Sequence, residues 1–162
     1  MLNSILVVPN TSHWANFIAL YQEYLDQNWA GEQCDADLLI QRYAEGPRAF
    51  LLLCDDKVPV GFANVWIDTQ NPDVANVAEF YIRPLSQRQG YGRLLWGQIL
   101  RWTGEKAVQA VHLETDVHKE PANQFWRALG FKKISADEMR VQYARDWHEL
   151  WQVQEAAQRA AP

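Results

Sequence analysis

Residues 86–95 read SQRQGYGRLL. Gly90 and Gly92 stand one residue apart between two apolar runs, with Gln87, Arg88 and Gln89 before them and Arg93 just after. Glycines at such a junction leave successive backbone N–H groups bare at a helix start, where they and the helix dipole attract a phosphate or diphosphate. Three loop types use this chemistry. The form GxxxxGK[ST] is excluded, because no Lys-Ser or Lys-Thr pair follows the glycines. The form GxGxxG is incomplete, since Leu95 stands where its third glycine would pack. The form Gln/Arg-x-x-Gly-x-Gly/Ala after a strand is matched by Gln87–Gly92. Taken alone, the same stretch also reads as a glycine-rich helix start that binds nothing. A second residue with chemical potential is Glu79, a carboxylate midway along the apolar pattern VANVAEFYIRP. Alternation puts it on one strand face with Tyr81, opposite Phe80 and Ile82. A carboxylate so placed needs a salt-bridge partner, solvent or a chemical task.

The elements that must position these residues follow from periodicity. Residues 4–8, 49–56, 58–68, 74–84 and 109–116 read as strands, and the segments FKKIS and MRVQYAR as a final strand pair. A helix is expected from Thr11 or Ser12, as N-cap, to about residue 27, with Trp14, Phe17, Ile18, Tyr21 and Leu25 on one face. A second covers 35–46 and stops at Gly46-Pro47, and a third runs from Gly90 to about Thr103. A fourth covers 120–131, with Pro121 in its first turn and Gly130 at its end. The last, 146–161, carries Trp147, Leu150 and Trp151 on one face. The order is βααβββαβαββα, without repeats or low-complexity linkers, which predicts one layered α/β or α+β domain.

Bulk properties narrow the class. At 162 residues and 48% hydrophobic, the chain can bury one sizeable core without staples. A net charge of -5 argues against a general nucleic-acid binder. No apolar run reaches the roughly 18–20 residues of a membrane span. Cys34 and Cys54 form no CxxC pair and no secretory signal precedes them, so a reduced, cytoplasmic protein is expected. The four histidines lack metal-ligand spacing, so no metal is expected.

Four stretches together resemble the GNAT superfamily of acyl-CoA-dependent N-acetyltransferases: EFYIRPLSQRQGYG, GRLLWGQILRW, VHLETD and PANQFWRALGF. They occur in that family's order and spacing, and the resemblance spans about residues 4–144. It implies a mixed, mostly antiparallel sheet with splayed middle strands flanked by helices, and a domain over 1–144. Beyond it, the apolar stripe of the last helix predicts a helical extension over 145–162 that packs on the domain or on a partner subunit of a homodimer. It implies acetyl-CoA as co-substrate, without metal, and direct acetyl transfer to a primary amine. Tyr81, Ile82 and Arg83 would lie along the pantetheine, with the Ile82 and Arg83 backbone holding it. Gln87, Arg88, Gln89, Gly90, Tyr91, Gly92 and Arg93 would surround the pyrophosphate. Asn123 and Trp126 would face the cofactor from its other side, and Lys119 or His118 would reach its phosphates or stay in solvent. The Ile82 N–H would serve the oxyanion and Glu79 the base, with Glu114 a weaker candidate. The tyrosine that the family uses as acid is replaced by Trp126, which leaves Tyr91 or Tyr143 as substitutes or the thiolate to depart unaided.

For the acceptor, Trp29 and Trp66 are the expected pocket aromatics, as Trp14, Trp96 and Trp102 fall on apolar helical stripes. The loop around Trp29 carries Asp26, Glu32, Asp35 and Asp37, which suits a cationic ligand or a plain solvated loop. A small-molecule or peptide amine is the expected acceptor. The rival expectations are a catalytically weak, GNAT-like acyl-CoA-binding sensor and an interaction module that binds no cofactor.

Overall fold

The computed structural model describes residues 1–146. Its seven strands are β1 (Leu2–Val7), β2 (Arg48–Asp55), β3 (Val58–Asp68), β4 (Asn71–Ile82), β5 (Ala110–Asp116), β6 (Lys132–Ala136) and β7 (Arg140–Asp146). They form one sheet in the order β1-β2-β3-β4-β5-β7-β6. Only β4 and β5 are parallel neighbours; the other pairs are antiparallel. The helices are α1 (Trp14–Asn28), α2 (Ala36–Glu45), α3 (Tyr91–Glu105) and α4 (Glu120–Ala128). The expected final helix at 146–161 and the extension over 145–162 lie almost wholly outside the described residues.

The sheet divides two cores. In β2, Phe50, Leu52 and Cys54 join the cluster under α1 and α2, while Ala49, Leu51 and Leu53 join the cluster under α3. That alternation explains why β2 is apolar at successive positions: both of its faces are covered. From α1, Trp14, Phe17, Leu20 and Tyr21 are buried. From α3, Leu95, Trp96, Ile99 and Trp102 are buried against the opposite face. Each large side chain so buried contributes about 1.5–3 kcal/mol. Among the described residues, no helix is long and apolar enough to cross a membrane.

The helix ends partly follow expectation. Asp35, not singled out as a cap from sequence, caps α2, accepting from the Leu38 N–H at 2.9 Å. Gly130 follows α4 with a left-handed φ of +88°, the conformation a helix stop requires. The cap of α1 differs: its N-cap is His13, with no side-chain cap. Thr11 instead donates its hydroxyl to the Val8 carbonyl at 2.7 Å, closing the turn out of β1.

Candidate active site

The centre of the sheet is open at one end. In β4, Glu79 pairs with Asn64 but Val77 pairs with Val65, which leaves Ala78 as a bulge. The β4–β5 ladder runs only from Val74 to Val77 against Ala110 to Leu113. Beyond Ala78 the two strands share no pairing, although β4 remains paired with β3 up to Ile82. A bulge adds twist and bends its strand, so the one-residue insertion marks where the strands part.

The backbone of Arg83 is not available to this gap, contrary to expectation. Its N–H donates to the Val60 carbonyl at 2.9 Å, and its carbonyl accepts from the Ser86 N–H at 2.8 Å. Alternation along β4 then turns the N–H and C=O of Phe80 and Ile82 toward the gap. The Ile82 carbonyl accepts from the Gln87 amide at 3.0 Å. Phe80 is thus a gap-facing residue that sequence reasoning missed. The side chains of Tyr81 and Arg83 point instead to α1: both donate to the Glu23 carboxylate, Tyr81 at 2.9 Å and Arg83 at 2.8 Å. That anchors the last turn of the free strand edge.

The glycine loop lies where β4 ends. A short 3-10 turn, Pro84–Ser86, leads into it. Arg88 (φ +63°) and Gly90 (φ +87°) are both left-handed, and Gly90 is the N-cap of α3. A Cβ at Gly90 would meet nothing within 4 Å, so the space beside it is open, although the backbone conformation itself favours glycine. Gly92 is needed for contact: a Cβ there would stand 3.0 Å from the Phe125 ring of α4. Gln87, Arg88, Gln89 and Arg93 are exposed around the first N–H groups of α3, which have no intrahelical acceptor. The Tyr91 hydroxyl donates to Asp55 at 2.7 Å, fastening α3 to the end of β2 and holding the Asp55 carboxyl below the usual range.

Glu79 lies on the α1 side, beside the bulge. Tyr21 donates to its Oε1 at 2.6 Å and the Asn64 amide to its Oε2 at 2.7 Å. Arg48 Nη1 donates in turn to Asn64 Oδ1 at 2.8 Å. Burial raises the Glu79 carboxyl above its ordinary value, opposed by the Tyr21 and Asn64 hydrogen bonds and by the Arg48 charge. Burial and the same carboxylate also push the Tyr21 hydroxyl up. Both oxygens of Glu79 retain lone pairs for a further donor. Tyr21, Asn64 and Arg48 were not singled out from sequence. Asn64 did carry a signal, being a polar residue at 1% exposure inside the apolar pattern VPVGFANVWID.

Other expected residues have mixed placements. Trp126 is buried among Phe80, Trp96, Phe125 and Phe131 on the α3–α4 side. Asn123 gives its amide hydrogens to the Asp116 and Lys119 carbonyls, both at 3.0 Å, and its oxygen accepts from Tyr143 at 2.8 Å. Its polar atoms therefore bind the β5–α4 junction, and Tyr143, 2% exposed, completes that bolt. Trp29 is 40% exposed, edge-on to Tyr24, with the Lys119 ammonium 5.9 Å from its ring centre. Lys119 also donates to Asn28, so the end of α1 reaches across to the β5–α4 loop. Trp66 lines a cavity of about 410 Å³ that extends to the bulge residue Ala78. Glu114 and His118 are exposed. Among the described residues, no group of His, Cys, Asp and Glu side chains could hold a metal.

The model of the acetyltransferase (GNAT) family matches residues 14–131. No curated protein matches the chain in sequence. The fold is shared with the ribosomal-protein-S18-alanine N-acetyltransferase of Escherichia coli, at TM-score 0.70 and 17% identity over 90% of this chain and 94% of that one. It is shared with the PaiA N-acetyltransferase of Thermoplasma acidophilum in complex with coenzyme A, at TM-score 0.75 and 14% identity over 90% and 99%. It is shared also with yncA of Salmonella typhimurium with its cofactor acetyl-CoA, at TM-score 0.75 and 12% identity over 91% and 94%.

Proposed function

Because the chain belongs to the acetyltransferase (GNAT) family, we propose that it is a cytoplasmic N-acetyltransferase that moves an acetyl group from acetyl-CoA to a primary amine while both are bound. The observation that carries this reading is the parting of β4 from β5 at Ala78, with a half-buried carboxylate beside it and a bare-N–H glycine loop at the end of the same strand.

The residues present fit acetyl-CoA. The gap presents unpaired strand edge, as an inserted arm needs, and the loop presents a Cβ-free helix start flanked by Arg88 and Arg93, as a diphosphate needs. The bound group would supply an acetyl already activated as a thioester. The Phe80 and Ile82 N–H groups face the gap as donors toward a developing oxyanion. A free alkyl amine has a pKa of about 10 and attacks only when neutral. Glu79, held by Tyr21 and Asn64 and raised by burial, is placed to take that proton, directly or through water. Direct transfer is favoured over a cysteine relay: Cys54 is buried, and burial pushes the Cys34 thiol up to about 11, too little ionised to attack.

No acid is assigned to the leaving thiolate. Tyr91 donates to Asp55 and Tyr143 to Asn123, and a thiolate with a parent pKa of about 8.5 departs tolerably without one. The same commitment of both hydroxyls favours a second reading, an acyl-CoA-binding module that turns over weakly. Thermal unfolding with and without acetyl-CoA, followed by mass detection of acetylated amines, separates them. A raised midpoint with rapid transfer supports the enzyme. A raised midpoint with no transfer supports the module. No change at saturating acetyl-CoA sinks both.

A further inference from the structure

The cavity that ends at the bulge has an unusual charge distribution. Its walls include Arg42 and Glu45 from α2, Arg48 from β2, Trp66 and Asp68 at the end of β3, and Ala78. The two acids already have donors: Glu45 accepts from Gln41 at 2.9 Å, and Asp68 from the Gln70 N–H at 2.9 Å. Neither arginine has a carboxylate within ion-pair distance among the described residues. None of the ion pairs among the described residues involves Arg42 or Arg48. Among the described residues Arg48 donates to neutral groups, Asn64 Oδ1 at 2.8 Å and the Arg42 carbonyl at 3.4 Å, and lies 5.8 Å over the Trp66 ring. Burial, and after it the Arg42 charge, lower Arg48 from its ordinary value, against the opposing pull of Glu79 and Glu45. Arg48, partly buried, and Arg42, exposed, thus line one cavity with neither held in an ion pair among the described residues, an arrangement that suits an anion, and the planar guanidinium fork fits a carboxylate.

Position relates this site to the chemistry. The Asn64 amide touches both Arg48 and Glu79, so with two hydrogen bonds and one amide between them, the guanidinium and the carboxylate stand at most about 8 Å apart. An α-amino acid bridges such a span with one hydrogen bond at each end, its amine at Glu79 and its carboxylate at the arginines. The cavity volume suits a free small molecule. By contrast, two of the loop acids expected to attract a cation are engaged, Asp35 as the α2 cap and Asp26 with Gln22.

We infer that the acceptor is a small zwitterion, an α-amino acid or close analogue, whose carboxylate is recognised by Arg42 and Arg48 while its amine lies at Glu79. This rests on the transferase reading and narrows it. The test uses the whole protein saturated with acetyl-CoA and a panel of free amino acids, each beside its amide and its decarboxylated amine: leucine, leucinamide and 3-methylbutylamine, for example. Acetyl-CoA binding is read first, by thermal shift. Amino acids are then expected to be acetylated with kcat/KM at least tens of times that of their amides and amines. Arg42→Gln should raise KM for the amino acid tens-fold, with kcat within about two-fold and unchanged use of the amide, and Arg42→Lys should recover part of the loss. Equal use of amide and acid, or an unaffected Arg42→Gln, overturns the inference. So does acetyl-CoA binding without acetylation or calorimetric binding of any amino acid, and the transferase reading then survives for other amines. Failure to bind acetyl-CoA removes both.

Discussion

The two ends of the opened sheet are built from different materials. At the β4 C-terminus the candidate cofactor cradle consists mainly of backbone: gap-facing groups of Phe80 and Ile82, two left-handed residues and the N–H groups starting α3. Around the bulge the candidate acceptor side consists of side chains from three strands and two helices: Glu79, Asn64, Arg48, Tyr21 and Arg42. Backbone recognition fits a ligand that is always the same. Side-chain recognition can be rewritten residue by residue without moving the sheet, which is where a shared fold admits different acceptors.

The contrast is broken most severely at Gly90. A Gly90→Glu variant places a carboxylate in the open space beside the loop and forces a left-handed φ of +87° on a side-chain residue. The strain costs about 1–2 kcal/mol. Acetyl-CoA affinity should fall at least 100-fold, read as loss of the ligand-induced rise in melting midpoint, while the unliganded protein stays folded. A variant that still binds would remove the loop from the cofactor site.

Glu79→Gln acts on the other end. Acetyl-CoA affinity should be unchanged while kcat falls about 10²–10⁴-fold, the usual range for loss of a positioned base. The sign with pH follows from burial, which raises the carboxyl. As pH falls through that raised value, Glu79 takes up a proton and can no longer accept one from the amine. The acidic limb of kcat in the wild type should therefore lie above the ordinary glutamate value of about 4.3, and should be absent from the residual activity of the variant. A limb that persists in Glu79→Gln assigns it to another group.

Asn64→Ala sharpens the comparison by cutting the link between Arg48 and Glu79. It leaves two polar partners in a half-buried setting without their bridge, an expected loss of about 1–3 kcal/mol by denaturant titration. Transfer should weaken with cofactor binding retained. The smallest effect is expected at Glu23→Gln, because both partners of its ion pair with Arg83 are about one-third exposed. Solvent screening holds such a pair to below about 1 kcal/mol. Acetyl-CoA affinity should shift only a few-fold, and a larger shift would mean that Glu23 sets the width of the gap.

Local signals carried the parts of the fold made of contiguous residues. The apolar runs of β2 and β3, the 3.6-residue stripes of α1 and α3 and the glycine loop all depend on near neighbours in sequence, and all are present. The expected cap of α1 went astray because Thr11 can donate to Val8 or accept from the helix, and only the turn leaving β1 chooses. Asn123 and Tyr143 show the same limit over a longer range. Each reads as a polar residue free for chemistry, yet strand β7 brings the hydroxyl onto the α4 amide 20 residues away.

By itself, then, the sequence determined the order of elements, the loop that can hold a diphosphate and the presence of an out-of-place carboxylate. Each is a property of side-chain type at short spacing, where propensity and periodicity act. Tertiary structure alone decided where β4 leaves β5, which backbone groups face the gap, and that Arg42, Arg48 and Asn64 meet beside Glu79. A one-residue bulge reverses facing along a strand, and strand pairing joins residues tens of positions apart, so these outcomes depend on register. Register is set by the packing of two cores against opposite faces of the sheet.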